Sequence, residues 1–277
     1  MQTNAADLLP ELIQLIYQTG EAIMTIYADE TLWQTQQKTN DTPVTAADLA
    51  AQSVLLDGLN RLSPEIPILS EEGHLAPWEL RQHWQTYWLL DPLDGTREFL
   101  QRNGEFTVNI ALIQHGKPIM GLVYAPASQT LYWGGEGLGA WKQLSLLDQA
   151  RSIQVRQPRK NARLLTSRRH SQHETLVLEK LVTQGIFSHI EGFSLGSSLK
   201  FCQIAEGSAD LYLRLAPTSE WDTAAAQAIL EAAGGAILVL PEGRAMQYNQ
   251  KPDVTNPSFI ALALPVPDWI YQLKISA

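Results

Sequence analysis

Cysteine is almost absent from this chain of 277 residues, which contains one, Cys202. A single thiol cannot form an internal disulfide, which excludes a disulfide-stabilised secreted domain and favours a reducing compartment. Cys202 lies in the apolar segment 199–204, where we expect a buried hydrophobic side chain. Long hydrophobic runs are also absent, since the longest, at 232–240, is about half of the ~18 residues that a membrane span needs.

Basic residues are in the minority, because 20 Lys and Arg face 29 Asp and Glu, for a formal charge of −9. This balance argues against nucleic acid as a partner, since sequence-independent binding depends on Lys and Arg that neutralise phosphates. The N-terminal residues lack the basic and apolar segments of a signal peptide, so a cytoplasmic location is expected, with peripheral membrane association left open. A hydrophobic content of 45% predicts a globular protein, and the length of 277 residues suggests two domains or one large one.

Hydrophobic spacing predicts two N-terminal helices, over 8–27 and 45–59, and Thr45 is expected to cap the second. Short apolar runs at 66–69 and 87–90 predict strands that deliver acidic residues at their carboxyl ends. Further β-rich runs predict a hairpin over 107–124, with four turn residues from His to Pro, and another strand near 131–133.

The pattern becomes polar around 144–160, and we expect a domain boundary there. Beyond it, strand-like and helix-like segments alternate, which is typical of an α/β domain. We therefore predict an N-terminal metal-binding α+β subdomain at 1–155 and a C-terminal α/β subdomain at 156–277.

The most informative segment is Asp-Pro-Leu-Asp-Gly-Thr at 91–96, which follows an apolar strand. Pro92 is expected to end that strand, so that one tight turn directs the carboxylates of Asp91 and Asp94 to the same point. The carbonyl of Leu93 can add a further oxygen. Such a set of oxygens suits Mg²⁺.

Gly95 and Thr96 follow the second aspartate and are expected to begin a short helix whose free N–H groups suit a phosphate. Glu71 and Glu72 end another apolar strand, and Asp222 precedes a helix of small residues. Each acidic position alone would be a helix cap or a solvated charge. Three carboxylate clusters from distant parts of the chain together predict a site for two metal ions.

Two strings, Asp-Pro-Leu-Asp-Gly-Thr at 91–96 and Trp-Asp-Thr-Ala-Ala-Ala at 221–226, resemble the motifs of the inositol monophosphatase superfamily of lithium-sensitive, Mg²⁺-dependent phosphatases. Longer segments resemble its 3'(2'),5'-bisphosphate nucleotidase branch, of the CysQ type, and lie at 38–48, 97–111, 116–126, 196–202 and 217–226. The resemblance implies a layered α/β (α+β) sandwich, with an N-terminal antiparallel-sheet subdomain and a C-terminal α/β subdomain.

The resemblance also implies the ligands of two or three Mg²⁺ ions, namely Glu71, Asp91, the Leu93 carbonyl, Asp94 and Asp222. The substrate phosphate would lie against the ions that these residues hold and against the amides of Gly95 and Thr96. In the family, a water that the motif threonine orients attacks phosphorus in line, and the ribose oxygen leaves. Thr96 matches that threonine here, and Glu72 is expected to support the site or act as a base.

The position two residues after Lys38 departs from the family, which often carries an acid there to activate the water. This chain has Asn40, followed by Asp41. Because an asparagine cannot take up a proton, either Asp41 replaces the missing base or the water is activated without it.

Seven Lys or Arg residues and no acid lie between positions 151 and 169. Arg151, Arg156, Arg159 and Lys160 are expected to form a solvated surface. The segment Thr-Ser-Arg-Arg-His at 166–170 follows an apolar strand and resembles the nucleotide-binding loop of the family. The nucleotide-binding residues that the resemblance implies are Ser167, Arg168, His170, Ser197, Lys200 and Arg214.

Two glycine motifs match known functional motifs without the sequence context that those motifs require. Gly-Phe-Ser-Leu-Gly at 192–196 matches the nucleophile elbow of α/β-hydrolases, but no histidine follows its serine, as that triad requires. The glycines between 135 and 140 resemble a dinucleotide fingerprint, but they join two short strands, so we expect a hairpin turn there.

Three functions remain open on the sequence. The favoured one is Mg²⁺-dependent hydrolysis of the 3'-phosphate of adenosine 3',5'-bisphosphate, with its sulfated form as a further substrate, in sulfur assimilation. The second is an inositol-phosphate or sugar-phosphate phosphatase of the same superfamily. The third, suggested by Asn40, is a non-catalytic nucleotide or metal sensor. The expected partner is a small nucleotide, and both a monomer and a homodimer remain open.

Overall fold

The computed structural model describes residues 5–37, 43–157, 161–167 and 182–263, together with Glu174, Leu176 and Glu179. The helices in these ranges are α1 (Ala5–Tyr27), α2 (Ala46–Leu62), α3 (Trp78–Arg81), α4 (Thr96–Leu100), α5 (Leu199–Ala205) and α6 (Ala224–Ala232). Three 3₁₀ turns lie at Glu30–Leu32, Pro126–Ser128 and Glu220–Asp222.

The strands in the same ranges form a small ribbon and two larger sheets. They are β1 (Gln36–Gln37), β2 (Pro43–Val44), β3 (Ile68–Ser70), β4 (Thr86–Asp94), β5 (Thr107–Gln114), β6 (Lys117–Ala125), β7 (Thr130–Gly135), β8 (Gly139–Gln143), β9 (Arg151–Ser152), β10 (Asn161–Thr166), β11 (His189–Ser194), β12 (Leu211–Arg214), β13 (Gly235–Val239) and β14 (Phe259–Ala263).

The two predicted N-terminal helices are confirmed as α1 and α2, which pack against each other and the larger sheet. Leu12 and Ile16 of α1 and Leu55 of α2 are fully buried in one cluster, as their helical spacing requires. Thr45 caps α2 as predicted: its side chain accepts a hydrogen bond from a backbone N–H, while Asp48 accepts one from the Thr45 N–H. The Asp48 side chain is thereby fixed at the start of the helix.

The larger sheet runs in the order β3-β4-β5-β6-β7-β8-β9 and is antiparallel except for the parallel pair β3 and β4. The hairpin predicted near 107–124 is confirmed, but its turn is shorter than expected. His115 and Gly116 alone connect β5 to β6, both with positive φ, as in a two-residue hairpin turn. The predicted strand near 131–133 and the glycine-rich hairpin turn are confirmed as β7 and its connection to β8.

The expectation that Pro92 ends its strand is wrong, because β4 continues to Asp94. The pairing with β5 shifts register between Asp91, opposite Asn109, and Asp94, opposite Thr107. Such a bulge leaves a residue out of the hydrogen-bond ladder, so a proline without an N–H is tolerated within it. A bulge rather than a tight turn therefore presents the two aspartates.

The smaller sheet runs in the order β11-β10-β12-β14-β13, with β10, β11 and β12 parallel and β14 antiparallel to both neighbours. The sequence patterns did not predict β11 or β14. Gly192 and Ser194 lie within β11 as an exposed edge strand, which agrees with rejecting a nucleophile elbow. The segment 174–184, one of those in the alternating pattern beyond the predicted boundary, lies largely outside the described residues.

Helices α5 and α6 lie between the two sheets and share one core with them. Phe201 of α5 and Ile229 of α6 are buried in the same cluster as Tyr87 of the larger sheet and Phe259 of the smaller one. This layered α/β arrangement is the predicted fold class. The boundary at 155/156 stays a prediction.

Substituting Gly121 tests this close packing. A side chain there would overlap the Ala225 carbonyl oxygen of α6, so Gly121→Ala is expected to lower the free energy of unfolding by about 3 kcal/mol, or to prevent folding. Thermal and urea denaturation measure the effect. Gly192→Ala is the matched control, since nothing lies within 4 Å of the added methyl, and should change stability by less than about 0.5 kcal/mol. Equal stability of the two variants would contradict the packing.

Candidate active site

The carboxyl end of β4 opens into a cavity of about 510 Å³. The acidic side chains among its described lining residues are Glu71, Asp91, Asp94, Glu98 and Asp222. Glu71 follows β3, Asp91 and Asp94 lie at the bulged end of β4, Glu98 is on α4, and Asp222 ends the turn before α6. The ends of β3 and β4, helix α4 and the turn before α6 therefore place acids around one space.

Three of these carboxylates form a tight cluster. One oxygen each from Glu71, Asp91 and Asp222 lies within 4.8 Å of the others. Asp91 Oδ1 accepts a hydrogen bond from the Leu93 N–H at 3.1 Å, whereas its buried Oδ2 has no partner among the described residues. A buried carboxylate oxygen without a donor is costly unless a cation binds it.

The electrostatics of the cluster favour a bound cation. Burial raises the pKa of Asp91 well above its ordinary value, and the carboxylates of Glu71, Asp94 and Asp222 raise it further. Burial likewise raises the pKa of Asp222, assisted by Asp94 and Glu71. A divalent cation would neutralise this repulsion, and hard carboxylate and carbonyl oxygens are the ligands that Mg²⁺ prefers. The donor set therefore fits the predicted metal.

Asp94 lies beside the cluster and is held by two donors. Its Oδ2 accepts the Ser198 N–H at 2.6 Å and the Asn109 side-chain N–H at 3.4 Å. Burial raises the pKa of Asp94 to about 6, although the Lys200 ammonium and the Ser198 N–H act in the opposite direction.

Thr96 begins α4 after Gly95, which adopts a left-handed φ of 94°. The Thr96 hydroxyl donates to Asp48 Oδ1 at 3.2 Å. Asp48 Oδ2 accepts the N–H and hydroxyl of Thr45 at 2.7 Å each. Sequence patterns did not identify Asp48 as a residue of the site, because a capping box has the same appearance whether or not its acid also faces a site.

A smaller cavity of about 130 Å³ adjoins the acidic one and shares Asp94, Gly95, Glu98, Arg214 and Asp222 with it. Its lining adds several of the predicted nucleotide-binding residues, namely Ser167, Ser197 and Lys200. The acidic cavity therefore continues on one side into a space lined by cations and hydroxyl groups.

The two cations of the smaller cavity are held by their own surroundings. Lys200 Nζ donates to the carbonyls of Leu195 at 3.1 Å and Ser197 at 2.6 Å, and burial lowers its pKa to about 8. Arg214 donates to the Ser167 hydroxyl at 2.7 Å and to the Ala216 carbonyl at 3.0 Å. Lys200 thus fixes the loop before α5 as well as lining the cavity.

Comparison with known proteins agrees with this geometry. Residues 4–266 match the inositol monophosphatase family. The chain belongs to that family. The Salmonella typhimurium protein named 3'(2'),5'-bisphosphate nucleotidase CysQ is 47% identical over 253 residues, which cover 91% of this chain and 98% of the relative. The Haemophilus influenzae protein of the same name is 32% identical over 278 residues, which cover 99% of this chain and 100% of the relative.

A solved structure gives the same family. The crystal structure of CysQ from Bacteroides thetaiotaomicron superposes with a TM-score of 0.82 at 36% identity, covering 95% of this chain and 99% of that one. The structure of a Thermotoga maritima inositol monophosphatase superposes with a TM-score of 0.76 at 23% identity and shows the shared fold. The family resemblance and the fold class predicted from the sequence are confirmed.

The structure brings together most of the site residues that the family resemblance predicted for this chain. Those around the acidic cavity are Glu71, Asp91, Leu93, Asp94, Gly95, Thr96 and Asp222, and those around the adjoining one include Ser167, Ser197, Lys200 and Arg214. Glu72 follows Glu71 and is partly exposed. Asp41, Arg168 and His170 lie outside the described residues. The chemical roles of all these residues stay predictions.

One expectation about the basic stretch is wrong. Arg156 is not a solvated charge: its Nε donates to Asp210 Oδ1 at 2.5 Å, and the pair is largely buried. Asp210 Oδ2 also accepts the Arg163 N–H at 2.5 Å, which ties the segment to β10.

No helix in the described part of the chain combines the length and apolar character that a membrane crossing requires.

The acidic cluster gives a prediction about stability. Because the pKa of Asp91 is raised in the folded state, the contribution of this carboxyl group to stability is fully present below its unfolded-state pKa and is lost as pH rises through its folded-state pKa. Asp91→Asn is therefore expected to raise the melting temperature in EDTA at about pH 7 relative to wild type. Wild type should gain about 2–3 kcal/mol from saturating Mg²⁺, less at about pH 5, whereas Asp91→Asn should gain little.

Differential scanning fluorimetry with and without Mg²⁺ makes this measurement. Asp57→Asn, an exposed acid on α2, is the matched control and should respond to Mg²⁺ as wild type does. A wild-type melting temperature that Mg²⁺ leaves unchanged would contradict a metal site at this cluster.

Proposed function

We propose that the chain is a Mg²⁺-dependent phosphatase that hydrolyses the 3'-phosphate of adenosine 3',5'-bisphosphate to give AMP. The observation that carries the proposal is the joining of an acidic cavity, fit for metal ions, to a smaller cavity lined by Lys200 and Arg214. A substrate with two anionic groups matches this pairing, since one phosphate would face the metals and the other the cations. The CysQ relatives bear the name of that activity.

Two or three ions would be held by the Leu93 carbonyl and four carboxylates, which are those of Glu71, Asp91, Asp94 and Asp222. Bound Mg²⁺ supplies the positive charge that neutralises the phosphoryl oxygens in the transition state. Without it, the acidic cavity would repel an anionic substrate. Binding of the anionic substrate at these acids would therefore depend on prior binding of Mg²⁺.

Thr96 would orient the attacking water. Its hydroxyl proton is directed to Asp48 Oδ1, so the lone pairs of its oxygen can accept a hydrogen bond from a water in the cavity. Asp48 is itself fixed by Thr45, which limits rotation of the pair. This would place the water for attack in line with the ribose oxygen that leaves. Asp41 and Glu72 stay as predicted bases for its proton.

The second phosphate of the nucleotide would lie near Arg214 and Lys200. Arg214 is the better candidate for direct contact, because its described hydrogen bonds, to Ser167, Ala216 and Pro217, use three of its five N–H groups. The described hydrogen bonds of Lys200 to two backbone carbonyls use two of its three. The Ser167 hydroxyl, which Arg214 contacts, would add a donor or acceptor. Arg168 and His170 are proposed to complete this side of the site.

A phosphate-release assay over adenosine 3',5'-bisphosphate, its sulfated form, inositol monophosphate and a sugar phosphate tests the function. The bisphosphate nucleotide should be hydrolysed fastest. Asp94→Asn should lose activity by at least about 100-fold while remaining folded, because a metal ligand is removed. Asp253→Asn, an exposed acid, is the control and should retain activity. Nucleotide binding without release of phosphate from any substrate would favour the sensor alternative instead.

The cationic side of the site predicts a selective loss. Arg214→Ala is expected to raise KM for the bisphosphate nucleotide by about 10- to 100-fold, because a charge-assisted hydrogen bond to its second phosphate is lost. KM for inositol monophosphate, which has no second phosphate, should change little. Equal losses on both substrates would show that Arg214 acts on the fold or the metal site. Arg163→Ala, at an exposed arginine on β10, controls for loss of positive charge.

A further inference from the structure

We call the larger sheet with α1 to α4 one half of the molecule, and the smaller sheet with α5 and α6 the other. At Asp94 the two halves are joined by buried side chains that the proposed chemistry does not use. Thr107 and Asn109 lie on β5, and Ser198 immediately precedes α5. All three are buried almost completely. We propose that Thr107, Ser198 and Asn109 are positioning residues that fix the Asp94 carboxylate for cation binding, an inference that rests on the proposed function.

The direction of the hydrogen bonds in this group follows from the number of protons available. The Ser198 hydroxyl donates to Asn109 Oδ1 at 2.8 Å. A serine hydroxyl has one proton, so in its 2.8 Å contact with Thr107 the Thr107 hydroxyl must be the donor. The protons therefore run from Thr107 to Ser198 and from Ser198 to Asn109.

This direction also sets the orientation of the Asn109 amide. Because Oδ1 accepts from Ser198, the amide turns its N–H groups toward Asp94 Oδ2, at 3.4 Å. The opposite orientation would place the amide oxygen against a carboxylate oxygen, which is repulsive. The Ser198 backbone N–H donates to the same Oδ2 at 2.6 Å.

Both donors therefore use one oxygen of Asp94. Among the described residues no donor to Oδ1 is found, and Asp94 lines both cavities. Fixing Oδ2 restricts rotation of the carboxylate and leaves Oδ1 as the oxygen for a cation. Residues that orient a metal ligand in this way typically change metal affinity by about 10- to 100-fold when removed.

The arrangement depends on contact between the two halves. Asp94 is opposite Thr107 in the larger sheet, and Asn109 is opposite Asp91, so the sheet sets three of these side chains in register. Ser198 comes from the other half, where Lys200 ties the preceding loop through the Ser197 carbonyl. The orientation of Asp94 is thus correct only when both halves are in place.

A titration with Mg²⁺ alone, by calorimetry on the full chain, tests the proposal apart from catalysis. Ser198→Ala removes both hydroxyl contacts and should weaken Mg²⁺ binding by about 10- to 100-fold. Thr107→Val, which has the shape of threonine without the hydroxyl, should weaken it by a smaller factor, whereas Thr107→Ser keeps the hydroxyl and should bind as wild type does. Thr19→Val is the control, since the Thr19 hydroxyl is buried in α1 against the Leu15 carbonyl.

Activity gives a second measurement. In Ser198→Ala and Thr107→Val, the Mg²⁺ concentration for half-maximal phosphate release should rise in parallel with the calorimetric Kd, while KM for the nucleotide at saturating Mg²⁺ stays near the wild-type value. Thr107→Ser should behave as wild type in both. This pattern would not follow from a general loss of stability.

The proposal is overturned if Mg²⁺ affinity is unchanged in both Ser198→Ala and Thr107→Val, or if Thr107→Val and Thr107→Ser lose affinity equally. Melting temperatures in EDTA show whether each variant folds. If Ser198→Ala fails to fold, the comparison of Mg²⁺ affinity between Thr107→Val and Thr107→Ser tests the proposal. If wild type binds Mg²⁺ but releases no phosphate from any substrate, the proposed function fails, and the calorimetric titration still judges the positioning residues.

Discussion

The repulsion among three clustered carboxylates is the constraint on which the rest of this site depends. Glu71, Asp91 and Asp222 approach within 4.8 Å, and burial together with their mutual charge disfavours ionisation of the two aspartates. Such a cluster would separate if its side chains were free to move. They are held by β3 and β4, by the bulge after Asp91, and by the turn that Asp222 closes through the Ser219 N–H. The fold therefore maintains a local arrangement that a cation would stabilise.

Polar groups around the cluster orient the side chains of Thr96 and Asp94. The Thr96 hydroxyl donates to Asp48, and the Asn109 amide and the Ser198 N–H donate to Asp94, so each carboxyl group is held by hydrogen bonds that it accepts. The basic side is separate in origin, since its side chains lie on β12 and around α5. Because the acids come mainly from the larger sheet and the cations from the smaller half, the proposed binding of a doubly charged substrate depends on how the two halves meet.

Much of the fold follows from local pattern. Helices α1 and α2, the β5–β6 hairpin and the β7–β8 turn all have periodicity or turn residues that act over short distances. The exceptions have tertiary causes. Pro92 lies within β4 because a bulge removes the need for its N–H, and the edge strand β11 lacks the apolar alternation by which strands are recognised, being exposed along most of its length. Arg156 is paired with Asp210, which is 54 residues away in the chain.

The sequence by itself determined which residues carry the chemistry, because Asp91, Asp94, Thr96 and Asp222 lie in short motifs whose residue types suit a metal and a phosphate. Only the tertiary structure decided how they are oriented. Asp48, Asn109 and Ser198 are ordinary capping, strand and loop residues in the linear pattern, and they gain their positions at the site from contacts 15 to 104 residues apart. Hydrogen-bond direction depends on where distant donors come to lie, and the spacing of residues along the chain contains no information about that.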